Sequence, residues 1–103
     1  MSIFSQLFSN TENSHLQTLV SEGAFLVDVR TSAEFGEGHV KGSVNIPLDS
    51  IPFQLEKFKD KKNVIVFCRS GNRSGQAKFI LEQNGITNVT NGGTWDQVNA
   101  FVK

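Results

Sequence analysis

Val64-Ile65-Val66-Phe67-Cys68-Arg69-Ser70-Gly71-Asn72-Arg73-Ser74 decides the reading of this chain. An apolar run, mostly β-branched, ends at the only cysteine in the sequence. A continuous run of this kind suits a central parallel strand, which is covered on both faces. A short loop with one glycine and two arginines follows. A helical stripe of Ala77, Ile80 and Leu81 then runs to a stop at Asn84-Gly85. Strand, loop and helix together put the thiol where open α/β sheets bind ligands, beyond the carboxyl end of a strand.

The same alternation extends in both directions. Ser14-His15-Leu16-Gln17 reads as a capping box opening a helix with Leu16, Leu19 and Val20 on one face and Gly23 at its end. Phe25 to Arg30 reads as a buried strand that turns polar at its carboxyl end. Thr31-Ser32-Ala33-Glu34 opens a short helix, expected to stop at Gly36 and Gly38. Ser43 to Pro47 reads as a short strand. Asp49 or Ser50 is expected to cap a helix carrying Ile51, Leu55 and Phe58, with Pro52 in its first turn. Ile86 to Thr90 offers one more strand, and Thr94-Trp95-Asp96-Gln97 caps a last helix with Trp95, Val98 and Val102 inward. Helices alternating with strands argue an α/β fold with a mostly parallel sheet.

Bulk composition narrows the functional classes. At 103 residues the chain is long enough for one core, with no linker, repeat or low-complexity tract. Residues 1–12 are expected to form an arm or a short helix, and residues 13–103 a single domain. Ten basic and ten acidic residues give a formal net charge of zero, which argues against nucleic acid as a partner. One cysteine excludes an internal disulfide, and His15 and His39 make no metal site on their own. No signal peptide is read in the first residues and no membrane-spanning run anywhere. A cytoplasmic, monomeric protein without cofactor or metal is therefore expected.

The loop carries the chemistry. Backbone N–H groups of residues 69–73 and the amino end of the following helix can point at the sulfur and stabilise an anion there. The guanidiniums of Arg69 and Arg73 are expected to act in the same direction, so the Cys68 thiol should ionise below its usual range. Gly71 allows the tight curl that such a loop needs. The plain alternative is a structural cysteine ending a buried strand. A cysteine before an anion loop suits phosphate-ester cleavage or sulfur transfer. Cys68 and Arg73 stand one residue closer than the ends of the Cys-x-x-x-x-x-Arg loop of cysteine phosphatases. The smaller ring of amides fits a single sulfur better than a tetrahedral phosphate.

With those residues in view, the chain resembles the rhodanese family, in particular its single-domain sulfurtransferases. Cys68-Arg69-Ser70-Gly71-Asn72-Arg73-Ser74-Gly75 is similar to the family's active loop, Cys-Arg-x-Gly-x-Arg or Thr. Asp28-Val29-Arg30, Glu34-Phe35 and the stretch from Gly38 to Pro47 resemble its amino-terminal signature, and Gly92-Gly93 with Trp95 its carboxyl-terminal one. Here Thr94 alone separates that glycine pair from the tryptophan, where the family usually has about three residues.

The resemblance implies a rhodanese fold, with a four- to five-stranded, mostly parallel sheet and helices on both faces. It further implies a Cys68 persulfide, loaded by a small-molecule sulfur donor such as thiosulfate and discharged to cyanide or to an external low-molecular-weight or protein thiol. Two other classes stay open: a cysteine phosphatase or arsenate reductase on this fold, and a non-catalytic sulfur-carrier or binding module.

The individual side chains have competing assignments. Cys68 is the catalytic nucleophile. Arg69 and Arg73 are substrate-binding candidates, set against ordinary surface charges or partners of Asp28, with Arg69 the better placed to meet substrate and Arg73 divided between loop support and substrate. Ser70 and Ser74 are candidate donors to the persulfide, although Ser74 suits a helix cap equally well. Gly71 and Asn72 complete the loop. Asp28 and Arg30 are expected to support the site as a buried pair. Glu34 is explained by its capping box, His39 by a hydrogen-bonded turn, and Trp95 by the core.

Overall fold

The computed structural model describes residues 14–102. The expected arm or helix of residues 1–12 lies outside them. Among the described residues four strands make one sheet, β1 (Phe25–Asp28), β2 (Val44–Asn45), β3 (Val64–Cys68) and β4 (Val89–Thr94), in the order β2-β1-β3-β4. All three pairings are parallel. Four helices accompany them: α1 (residues 14–21), α2 (Ser32–Glu37), α3 (Asn72–Gln83) and α4 (Trp95–Asn99).

The pattern of β3 explains the layering. Every residue from Val64 to Cys68 is buried, and successive side chains point to opposite faces. Val64, Val66 and Cys68 join one core with Val27, Phe58, Ala77 and Leu81. Ile65 and Phe67 join a second with Leu16, Leu19 and Val98. Cys68 therefore faces the layer that contains α3, the helix that begins just beyond it.

Several boundaries differ from the sequence reading. Ser14 already lies within α1 and does not cap it. β1 stops at Asp28, because Asp28 turns its carboxylate to the backbone and side chain of Arg30. Gly36 lies inside α2, which ends at Glu37 with Gly38 as its cap. The strand expected over Ser43–Pro47 shrinks to Val44–Asn45. The helix expected after Asp49 is two 3-10 segments, Leu48–Phe53 and Leu55–Phe58, with Pro47 at the cap position and no side-chain cap. Pro52 lacks the N–H that a longer α-helix would use there, which favours short, tighter turns.

The largest difference is β4. It begins later than expected and runs through Gly92-Gly93 instead of stopping before them. A register shift opposite Val66/Phe67 absorbs the extra residue, so that Val66 pairs with Asn91, Phe67 with Gly93 and Cys68 with Thr94. Gly92 is obligatory at that bulge, since a Cβ there would lie 2.7 Å from Val98 Cγ2 and 2.8 Å from Ile65 Cγ2. Thr94 then caps α4 by accepting the Gln97 N–H.

Candidate active site

Cys68 is the last residue of β3 and is fully buried. Its Sγ accepts the Gly71 N–H at 3.0 Å and the Ser74 N–H at 3.4 Å. The Ser74 hydroxyl lies 3.5 Å away. The loop can present its amides because Gly71 takes φ 94°, a left-handed conformation that side chains disfavour. From Gly71 the chain enters α3, whose first turn supplies the Ser74 N–H that has no partner within the helix.

Two opposing effects set the thiol's acidity. Burial pushes the Cys68 pKa up. Hydrogen bonds from the Ser74 hydroxyl and from the Ser74, Ser70 and Gly71 N–H groups more than offset this, and the net shift is downward from the ordinary 9.0. Amides and one hydroxyl do this, where the sequence led us to expect the two guanidiniums to act in the same direction.

The arginines point elsewhere. Arg73 grips Glu34 of α2 through two parallel bonds, Nη1 to Oε1 at 2.8 Å and Nη2 to Oε2 at 3.0 Å. The Glu34 hydrogen bond is the main cause of an Arg73 pKa raised above its ordinary value. Arg69 keeps a side chain 77% exposed, with Glu34 Oε2 4.0 Å from its Nη1. Arg69 is thus the arginine beside the loop free to meet an incoming anion.

Glu34 does more than its capping box requires. Thr31 and Glu34 do form the reciprocal box, and the same carboxylate also anchors Arg73. The Arg73 hydrogen bond, followed by the Thr31 backbone N–H, pushes the Glu34 pKa down to about 2. Sequence spacing gave no sign of this contact, because the two residues lie 39 apart along the chain.

Asp28 and Arg30 form a buried bidentate pair at the end of β1, with Nη2 to Oδ2 at 2.6 Å and Nε to Oδ1 at 2.9 Å. Arg30 also donates to the Gly38 carbonyl at 2.7 Å and stacks over the Trp95 ring at 4.7 Å. Its Nε and Nη2 donors are thus taken up by the scaffold. His39 Nδ1 lies 2.8 Å from the Phe35 carbonyl. A carbonyl only accepts, so Nδ1 carries the proton. Beside the loop, Arg30, Glu34, Glu37, Arg69, Trp95 and Asp96 border a cavity of about 410 Å³.

One contributor escaped the sequence reading. Asn91 of β4 accepts the Ser74 hydroxyl at 2.6 Å and donates to the Gly71 carbonyl at 3.2 Å. It reaches the loop only because β4 continues further than its glycines suggested.

Fold and cradle together define the class: a small parallel α/β domain with a hydrogen-bonded thiol at the carboxyl end of its central strand. The chain belongs to the rhodanese-like domain family, whose model matches residues 12–94. It is 41% identical over 69 residues to thiosulfate sulfurtransferase PspE of Escherichia coli strain K12, covering 65% of this chain and 66% of that protein. It is 37% identical over 71 residues to a sulfurtransferase of Allochromatium vinosum, covering 69% of this chain and 66% of that protein. Both alignments thus span just under two thirds of the relative's own length. Among solved structures, a rhodanese with anions from E. coli superposes with a TM-score of 0.66 at 36% identity, covering 73% of this chain and 91% of that one. No helix of the described residues is long and apolar enough to cross a membrane.

Proposed function

We propose that this protein is a sulfurtransferase that carries a sulfane sulfur as a persulfide on Cys68. The observation that carries this reading is the cradle itself, where Gly71 and Ser74 N–H groups reach Sγ at 3.0 and 3.4 Å. Such donors stabilise a sulfur anion and favour the thiolate, which is the nucleophile. Similarity to two proteins named as sulfurtransferases supports sulfur over phosphorus, as does the short spacing from Cys68 to Arg73.

In the first step the Cys68 thiolate attacks the outer sulfur of thiosulfate. The S–S bond of the donor breaks, sulfite leaves with the bonding pair, and the negative charge moves to the new terminal sulfur. In the second step an external nucleophile, cyanide or a thiolate, takes that terminal sulfur and the bonding pair returns to Sγ. The acceptor must come from another molecule, because Cys68 is the only cysteine of this sequence. Arg69 attracts the anionic donor, and Arg73 holds the loop shut through Glu34. Since Cys68 is fully covered, a donor reaches Sγ only when the loop shifts. A monomer in a reducing, cytoplasmic compartment suits a lone thiol that waits for a small-molecule donor and an external thiol.

That burial also favours a second reading, in which the protein stores or relays sulfur for a partner protein that opens the loop. Incubation with thiosulfate and cyanide separates the two. Steady thiocyanate production is expected of the enzyme. A stable persulfide without turnover would move the assignment to a carrier, and aryl-phosphate hydrolysis without sulfur transfer would overturn both.

A further inference from the structure

The Ser74 hydroxyl has one proton and three acceptors within reach. Asn91 Oδ1 lies at 2.6 Å, the Gly71 carbonyl at 3.1 Å and Cys68 Sγ at 3.5 Å. Only one can receive the proton at a time. The short contact gives it to Asn91 while Cys68 is a neutral thiol, and the hydrogen bond to Sγ that helps to lower the Cys68 pKa forms when the sulfur ionises.

The orientation of the Asn91 amide is fixed by its neighbours. Gly93 N–H donates to Oδ1 at 2.9 Å, and Nδ2 donates to the Gly71 carbonyl at 3.2 Å. Turning the amide over would set Nδ2 against the Gly93 donor and Oδ1 against the Gly71 acceptor, losing both bonds. Oδ1 is therefore a permanent acceptor aimed at Ser74, held there by the bulge at Gly92.

We propose that Asn91 is a positioning residue for Cys68 that acts through Ser74: its Oδ1 competes with Sγ for the single hydroxyl proton and takes that proton when negative charge leaves Sγ. This deepens the sulfurtransferase reading and rests on it for its purpose. In the thiolate the charge sits on Sγ, and the hydroxyl gains by turning to it. In the persulfide the charge sits on the outer sulfur, and the hydroxyl returns to Asn91. A rotation of one O–H bond thus matches the loop to both states without moving the backbone. The fixed cost is a less acidic thiol than Ser74 alone would give.

The sign of the effect separates this role from simple loop support. If Asn91 only tied the loop down, removing it would loosen the amides around Sγ and raise the thiol pKa. If Asn91 competes for the proton, removing it frees the hydroxyl for Sγ and lowers the pKa. The titratable and charged groups on the elements packed around the loop are Arg69, Arg73 on α3, Glu34 and Glu37 on α2, the Asp28–Arg30 pair at the end of β1, Asp49 of the first 3-10 segment, Asp96 on α4, and His15 of α1, which lines a groove with Asn91. All stay in place in the variants below, and a parallel set in His15→Gln removes the neighbouring imidazole.

The test is the pH dependence of Cys68 alkylation by iodoacetamide in the full chain without any sulfur donor, so that its outcome does not depend on sulfur transfer. Asn91 is exposed, so Asn91→Ala and Asn91→Leu should fold, which thermal unfolding checks. Both are expected to lower the alkylation pKa by about half to one pH unit, as loss of a competing neutral hydrogen bond implies. Ser74→Ala should raise it, and adding Asn91→Ala to Ser74→Ala should change nothing further. An unchanged or raised pKa in the Asn91 variants, or an Asn91 effect that persists without the Ser74 hydroxyl, would overturn the proposal.

Discussion

Arg73 clasps Glu34 with both terminal nitrogens, at 2.8 and 3.0 Å, and so ties the first turn of α3 to the first turn of α2 across the loop. The pair has a measurable pH signature. Glu34 is pushed down to about 2, against 4.5 for the free group, so its folded-state pKa lies below its unfolded one. The stabilisation is then fully present above the unfolded value and disappears as pH falls through the folded value. Glu34→Gln should be less stable than wild type at neutral pH, with the gap in urea midpoint closing as pH falls from about 5 to about 2. A gap independent of pH would show that the carboxylate charge is not what holds Arg73.

Arg69 should act on substrate capture. Its side chain is 77% exposed, and its contact to Glu34 at 4.0 Å is too long and too open to restrain it. Arg69→Ala is expected to raise KM for thiosulfate by about three- to tenfold with kcat little changed, the mark of lost ground-state binding. The wild-type advantage should fade at high salt, because an exposed charge is screened. Steady-state kinetics at low and high ionic strength checks both, and an equal KM would remove Arg69 from the substrate path.

The Asp28–Arg30 pair belongs to stability. Its side chains are 0% and 5% exposed, and the contact is 2.6 Å. Taking away one partner leaves an uncompensated buried charge, which costs about 3–5 kcal/mol. Asp28→Asn should therefore lower the unfolding free energy in urea by that order, with kcat per folded molecule nearly intact. A loss below about 1 kcal/mol would mean that solvent reaches the pair.

Gly92 tests the bulge. A methyl group there meets Val98 Cγ2 at 2.7 Å and Ile65 Cγ2 at 2.8 Å. Gly92→Ala should cost about 1–3 kcal/mol through overpacking. It should also weaken the Asn91–Ser74 contact, visible as a shift in Cys68 alkylation pKa. A neutral outcome in urea unfolding would contradict the close packing described for β4.

What the sequence disclosed was what lies close together along it. β3, the loop and α3 are contiguous, and an apolar run followed by a glycine-containing turn and a helical stripe has few structural solutions. The Thr31–Glu34 box was legible for the same reason. Glu34–Arg73 was not, because a satisfied local role concealed a second partner 39 residues away. Asn91 was hidden by the glycine pair after it, which reads as a strand breaker yet lies within β4, where parallel pairing to β3 holds it. The 3-10 turns around Pro52 were missed since apolar spacing alone does not separate a short helix from two tighter turns. Two arginines beside a cysteine also suggested a shared task, whereas side-chain direction divides them between solvent and Glu34.

The most direct measurement is the intact mass of the protein after incubation with thiosulfate and removal of small molecules. Wild type is expected to gain one sulfur atom and to lose it on addition of cyanide or a thiol, while Cys68→Ser gains nothing. A wild-type mass that never changes, or an equal gain in the serine variant, would contradict the Cys68 persulfide.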